Sequence, residues 1–194
     1  DDYSNGGAYF YENKIEIWAE SMDYILRGTH HWLRDVVSHE FSHIICMQKA
    51  FKFGANIPAG WIQVFGYESE RRPDVVRGFP DILVSYPISG VTIPTWFAEG
   101  TAQFQSPSKR FDYRDSHREM ILRDRVLNGK LLDLNEMGVF GKNSIGNESA
   151  YNQGYAFVNF LTRTFGDSVV QHLFHQTSAV TTLDFNGAMK KVTG

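Results

Sequence analysis

Cysteine is almost missing from this 194-residue chain. Cys46 stands alone, so no intrachain disulfide can form and a cysteine-ligated zinc finger is excluded. No run of 18 or more apolar residues is present, which removes a membrane-spanning helix from the sequence. A basic surplus is lacking as well. With 19 Lys and Arg against 22 Asp and Glu, the formal net charge is −3, and nucleic acid is not expected as a partner. Internal repeats and low-complexity segments are absent, and the start Asp1-Asp2-Tyr3 has neither the basic nor the apolar region of a signal peptide. The compartment is not readable from these residues.

What is present is ordinary globular composition, 42% hydrophobic and 21% charged, in a length that suits one compact domain with a buried core. The chain begins without methionine and stops at Lys191-Val192-Thr193-Gly194, which reads as a piece of a longer protein. Two aromatic and β-branched runs, Gly7 to Phe10 and Lys14 to Trp18, predict a β-hairpin. From His30 to about Phe51, Trp32, Val36, Val37, Phe41, Ile44, Ile45 and Met47 recur at helical spacing, predicting a long, mostly buried helix. Prolines 58, 73, 80, 87 and 94 with five glycines predict an irregular middle from Phe53 to Pro94, with a short helix near Pro80 to Val84. Pro94 then opens a helix through Trp96 to Gln105. Further helices are expected at about Asp112 to Leu127, Ser149 to Phe165 and Asp167 to Gln176. The expected class is α+β in a single domain over 1–194: an N-terminal β/helix lobe over about 1–55, then a helical part over about 94–194.

Chemistry concentrates in His39-Glu40-Phe41-Ser42-His43, inside the long helix. At 3.6 residues per turn His39 and His43 stack on one face, so two imidazoles can reach one ion while Glu40 projects beside them. That carboxylate suits a general base, taking a proton from a water on the metal. Chance would produce the pattern in roughly one such chain in a hundred. A catalytic zinc needs a third protein ligand and an open position. His30 and His31 stand too far up the helix from His39, His117 lies in the charged stretch Arg114-Asp115-Ser116-His117-Arg118, and His172 and His175 read as surface residues of a late amphipathic helix. Glu99 is the better candidate, because Trp96-Phe97-Ala98-Glu99-Gly100 sets one carboxylate in an apolar helix start where an unpaired buried charge is costly. The plain alternative is a solvated Glu near a helix N-terminus.

His-Glu-Phe-Ser-His followed 56 residues after His43 by Trp-Phe-Ala-Glu-Gly resembles the gluzincin clan of zinc metallopeptidases, in which a glutamate on a second helix is the third ligand. The resemblance implies a zincin-like fold, one Zn2+ on His39, His43 and Glu99, and Glu40 as base. Tyr151-Asn152-Gln153-Gly154-Tyr155 is similar to the Tyr-x-x-Gly helix start of the aminopeptidase branch, which implies that Tyr151 supports the oxyanion. Tyr155 is the alternative, and either ring can also be plain core packing. Asn5-Gly6-Gly7-Ala8-Tyr9-Phe10 lies where this clan has an edge strand for extended substrate, which implies backbone binding at Gly7, Ala8 and Tyr9. The overall pattern is similar to bacterial domains that precede β-propellers in longer exported proteins, implying such a partner region and an exported, periplasmic or cell-surface location.

Two features depart from the clan. Gln103 stands where the thermolysin-like branch has an aspartate bracing a zinc histidine, and the Gly-x-Met-x-Asn strand of the aminopeptidases is missing, leaving aminopeptidase specificity unsupported. Gln103 or a backbone carbonyl is expected to hold one histidine from behind. The expected function is hydrolysis of peptide bonds in a peptide or protein substrate. A zinc-stabilised scaffold without catalysis, or a zinc hydrolase of a non-peptide substrate, are the rival readings, since a metal site fixes the water and not the substrate.

Overall fold

The computed structural model describes residues 6–18, 32–67, 69–70, 82–108, 116–138 and 144–194. Over these the chain is a mixed α/β structure with two small antiparallel sheets and six helices. The expected hairpin is present as β1 (Gly6–Tyr9) and β2 (Lys14–Ile17), with Ala8 opposite Ile15. Asn5 lies outside the described residues. The chain then forms α1 (Trp32–Lys49), whose expected start at His30 and His31 likewise falls outside them.

The middle departs from expectation. Instead of irregular chain, β3 (Ala59–Gly66) pairs with β4 (Ile82–Ser89), and Ile82 to Val84 extend as strand where a helix is expected; Pro80 and Asp81 are outside the described residues. Trp61-Ile62-Gln63-Val64-Phe65 and Ile82-Leu83-Val84-Ser85-Tyr86 carry the β-branched and aromatic residues that favour a pleated strand, and this outweighs the proline density. Pro87 sits opposite Trp61 inside β4, which a two-stranded ribbon tolerates because each strand keeps one open side. Among the described residues the large apolar side chains of this ribbon are exposed except Ile88, which is buried: Trp61, Phe65 and Leu83 are exposed by about three-fifths.

The base of the ribbon ties the two halves of the site together. Lys52 N–H donates to the Gly90 carbonyl at 2.9 Å and Gly90 N–H to the Pro58 carbonyl at 2.7 Å, so the chain returns beside the end of α1 before starting α2 (Thr95–Ser108). Pro94 stands just before this helix, its carbonyl accepting from the N–H groups of Phe97 and Ala98. Next come α3 (Ser116–Leu127), a 3-10 turn at Glu136–Gly138, α4 (Ser144–Phe165), α5 (Val169–Thr177) and α6 (Phe185–Thr193). The expected residues Asp112 to Asp115 are outside the described chain. α4 begins five residues before the expected Ser149, running through Gly146 and Asn147 despite their low helix propensity. α6 is absent from the sequence-based expectation, although its signals are local: Asp184 accepts from Gly187 N–H as N-cap, and Phe185, Ala188, Met189 and Val192 mark one face.

The core gathers Trp96 and Phe97 of α2, Val158 and Leu161 of α4, Leu173 and Phe174 of α5 and Phe185 of α6. Trp96 meets Phe97, Phe157 and Phe185 edge-on, with ring centroids 5.2–5.6 Å apart. α1 is buried on one side only. Leu33, Val37, Phe41 and Ile45 form a ridge exposed by 42–56%, which corrects the expectation of a mostly buried helix: α1 packs on β1, β2, α2 and α5, and these leave its outer face uncovered among the described residues.

Where α2 and α4 come closest, Gly100 and Gly154 meet backbone to backbone. A Cβ on Gly154 would collide with the Trp96 carbonyl oxygen, and one on Gly100 with the backbone of Gly154, coming within 2.9 Å of Tyr155 N. Replacing a helical glycine by alanine ordinarily gains about 1 kcal/mol of helix propensity. Here the collision is with rigid backbone, and overpacking of that kind costs about 1–3 kcal/mol or more. Gly154→Ala is therefore expected to lower stability in urea denaturation despite its better propensity, while Gly54→Ala, with open space around the added carbon, stays near wild type. Equal midpoints for Gly154→Ala and wild type would show that the crossing is looser than described.

Candidate metal centre

His39 and His43 are one helical turn apart on α1, and Glu99 is in the second turn of α2. Their reach converges on one point. His39 Nε2 lies 3.0 Å from Glu99 Oε2, His43 Nε2 lies 3.1 Å from the same oxygen, and the two Nε2 atoms are 3.1 Å apart. All three side chains are mostly buried, at 11–18% exposure.

This geometry carries its own chemical argument. Glu99 Oε2 is an acceptor, and each neutral imidazole offers Nε2 either as donor or as acceptor. Three such atoms in mutual contact can be satisfied by protons only if an imidazole is charged or a tautomer is forced, whereas one cation satisfies all three lone pairs at once. A tetrahedral ion with ligand distances of about 2.0–2.1 Å separates its ligands by about 3.3 Å. The observed spacings are within a few tenths of an ångström of that value. The two nitrogens and one oxygen suit zinc and also other first-row divalent ions. His39, His43 and Glu99 thus form a group that could hold a metal ion, the one such cluster among the described residues.

The electrostatics fit a centre arranged for positive charge. Burial works to raise the Glu99 carboxyl, but the adjoining charge of His43 and the hydrogen bonds from both histidines outweigh it and hold the group well below the usual carboxylate range. Burial works to lower His43, and Glu99 more than reverses it, raising the imidazole above its ordinary value. Glu40, 8% exposed, shows the opposite balance. Burial raises its carboxyl, Glu99 adds to this, and the histidine charges with a hydrogen bond from the Ala8 N–H offset it only in part. Two carboxylates of one cluster are thereby driven apart, one kept ionised and the other moved up towards neutrality.

The structure brings the remaining sequence candidates to different places. Tyr151, in α4, stands with its ring centroid 6.3 Å from that of His39, while Tyr155, one turn on, meets Phe104 at 6.3 Å. The Gly100–Gly154 crossing sets this arrangement, since it joins the helix of Glu99 to the helix of Tyr151 at fixed depth. Of the edge-strand residues, Ala8 reaches the site through its N–H to Glu40, Gly7 is half-buried and Tyr9 is largely exposed. Gln103, one of the two partners expected for a histidine beside a backbone carbonyl, is buried and makes no hydrogen bond to His39 or His43 among the described residues. His172 and His175 are exposed on α5, and His30, His31 and the side chain of His117 lie outside the described residues. Cys46, three residues after His43, has its thiol pushed up to about 11 by burial and does not join the cluster. Sequence reasoning did not identify the Ala8 N–H as a partner of Glu40, because a main-chain donor leaves no mark on residue type.

Chelator-treated protein is expected to take up about one divalent ion per chain and to gain thermal stability, about 2.7 kcal/mol at a free ion concentration a hundredfold above Kd. His43→Ala loses both effects in the same zinc titration followed by calorimetry. A wild-type melting curve indifferent to zinc, cobalt and manganese would remove the metal reading. Neither a family model nor a curated protein nor a solved structure matches the chain, so this centre stands on the geometry of its own residues.

Proposed function

We propose that the protein is a zinc-dependent hydrolase of peptide bonds, a gluzincin-like metallopeptidase with His39, His43 and Glu99 as ligands and Glu40 as general base. The observation that carries this reading is the pairing of a convergent two-nitrogen, one-oxygen triad with a second, buried carboxylate, Glu40, on the helix of the two histidines. A structural metal site needs closed coordination and no base, whereas three protein ligands with a neighbouring carboxylate are the composition of a hydrolytic one.

A zinc ion bound there supplies Lewis acidity that brings the pKa of a coordinated water towards neutrality. The chain's own groups do the rest. Glu40 takes the water's proton and returns it to the departing amine. Tyr151, beside His39, offers one hydroxyl donor to the oxygen of the tetrahedral adduct without adding charge. Among the described residues β1 pairs with β2 alone, and a peptide lying extended along it would pass the carboxylate that Ala8 touches. The substrate is therefore an extended peptide segment held by main-chain hydrogen bonds. Export of the parent protein, and a β-propeller following this domain, belong to the same proposal through the resemblance in the sequence.

Cleavage of an unbiased peptide library by zinc-loaded protein tests the reading directly. Glu40→Gln keeps shape and metal content and is expected to reduce turnover by about 10²–10⁴-fold. Activity unchanged in that variant would remove Glu40 as base. Tyr151→Phe is expected to lower kcat by about 10–10³-fold with KM and zinc affinity little changed, with Tyr155→Phe as the internal control. A large loss in Tyr155→Phe and none in Tyr151→Phe would move the oxyanion role one turn along α4.

A further inference from the structure

The β1–β2 hairpin runs along α1, and three contacts set its register there. At one end Gly6 comes so close that a Cβ would sit 2.9 Å from Val36 Cγ1 and 3.1 Å from the Glu16 carbonyl oxygen. Midway, the Ala8 N–H donates to the Glu40 carboxylate. At the far end the Gln48 side-chain amide donates to the Phe10 carbonyl at 3.1 Å and reaches Asn13 Oδ1 at 3.4 Å. Phe51 stacks on Tyr11 beside it, with centroids 5.0 Å apart and planes within 10°. The turn so gripped is a particular one, because Asn13 holds φ at +54° in the left-handed region that few side chains enter.

We propose that Gln48 is a positioning residue of the candidate site: by fastening the hairpin turn to α1 through its amide, it fixes where β1 meets the general base. The inference rests on the hydrolase reading for its catalytic part only. Gln48 is nine residues beyond His39, about 13 Å along the helix axis, and so acts on the reaction only through the strand. Among the described residues β1 and β2 pair only with one another, over four residues each, and a hairpin of that size is marginal without contacts that hold it. Gly6 sets how near the strand can approach α1. The hydrogen bond from the Gln48 amide to the Phe10 carbonyl is directional and resists sliding of the turn along the helix. A strand displaced by one ångström would leave the Glu40 carboxylate without its main-chain donor and misalign any peptide lying along β1, and misplacement on that scale can cost about 10²-fold in rate.

The test uses two substitutions in the full chain. Gln48→Met removes the donor at similar length, and Gln48→Lys returns one. Hydrogen exchange of residues 6–17 is expected to quicken by about tenfold or more in Gln48→Met and to stay near wild type in Gln48→Lys. Zinc affinity stays within about twofold in both variants, and kcat on the best library peptide falls by about tenfold in Gln48→Met and recovers in Gln48→Lys. Unchanged exchange in Gln48→Met, equal behaviour of the two variants, or faster exchange with kcat unaltered each overturn the proposal. If the wild-type protein cleaves no peptide, the hydrolase reading falls separately, and the exchange comparison still decides whether the Gln48 amide holds the hairpin.

Discussion

Three buried polar atoms, Nε2 of His39 and His43 and Oε2 of Glu99, meet at 3.0–3.1 Å, and most of what positions the site serves that contact. An ionised carboxylate taken out of water is tolerated only where paired, and a lone buried imidazole prefers to be neutral. Each of the three would resist burial alone. Placed together they invert one another's preferences: Glu99 stays ionised, His43 holds a proton more firmly, and a divalent ion can replace the protons without moving any ligand far. In this physical sense the three residues form a cluster that could hold a cation.

Holding those atoms in place falls to two helices that are not neighbours in sequence. α1 supplies both imidazoles at the spacing of a single turn, which needs no tertiary help. Glu99 must come from elsewhere, and its depth is set by contacts on α2: the aromatic cluster about Trp96 and Phe97, and the glycine crossing with α4. That same crossing carries Tyr151 towards His39. One backbone-to-backbone contact therefore governs the placement of Glu99 and of Tyr151 together, and the aromatic core that surrounds it makes independent movement of either costly.

The site was more legible in the sequence than the fold. His39, Glu40 and His43 could be placed on one helix from spacing alone, and the apolar setting of Glu99 marked it as a charge in need of a partner. These are local signals, read over five residues at a time. The strands β3 and β4 were obscured because five prolines between Pro58 and Pro94 argue against regular structure, while only the pairing of the two runs reveals that Pro87 can stand at an open edge. The exposed ridge of Leu33, Val37, Phe41 and Ile45 was misread for a similar reason: periodicity reports that a face is apolar and does not report what lies against it. Gln103 illustrates the limit of analogy, since a residue at the right offset on α2 is buried yet bonds neither histidine.

The hydrogen bond from Ala8 to Glu40 differs from every other contact at the site in its chemistry of inheritance. Ligands and tyrosine are specified by side chains, so a single codon change can erase them. A main-chain N–H is supplied by any residue except proline. Position 8 is thus free to vary in size and character, within the room beside α1, while the carboxylate keeps its donor. Relatives of this chain could diverge widely in side chain along the strand with the main-chain donor to Glu40 left in place.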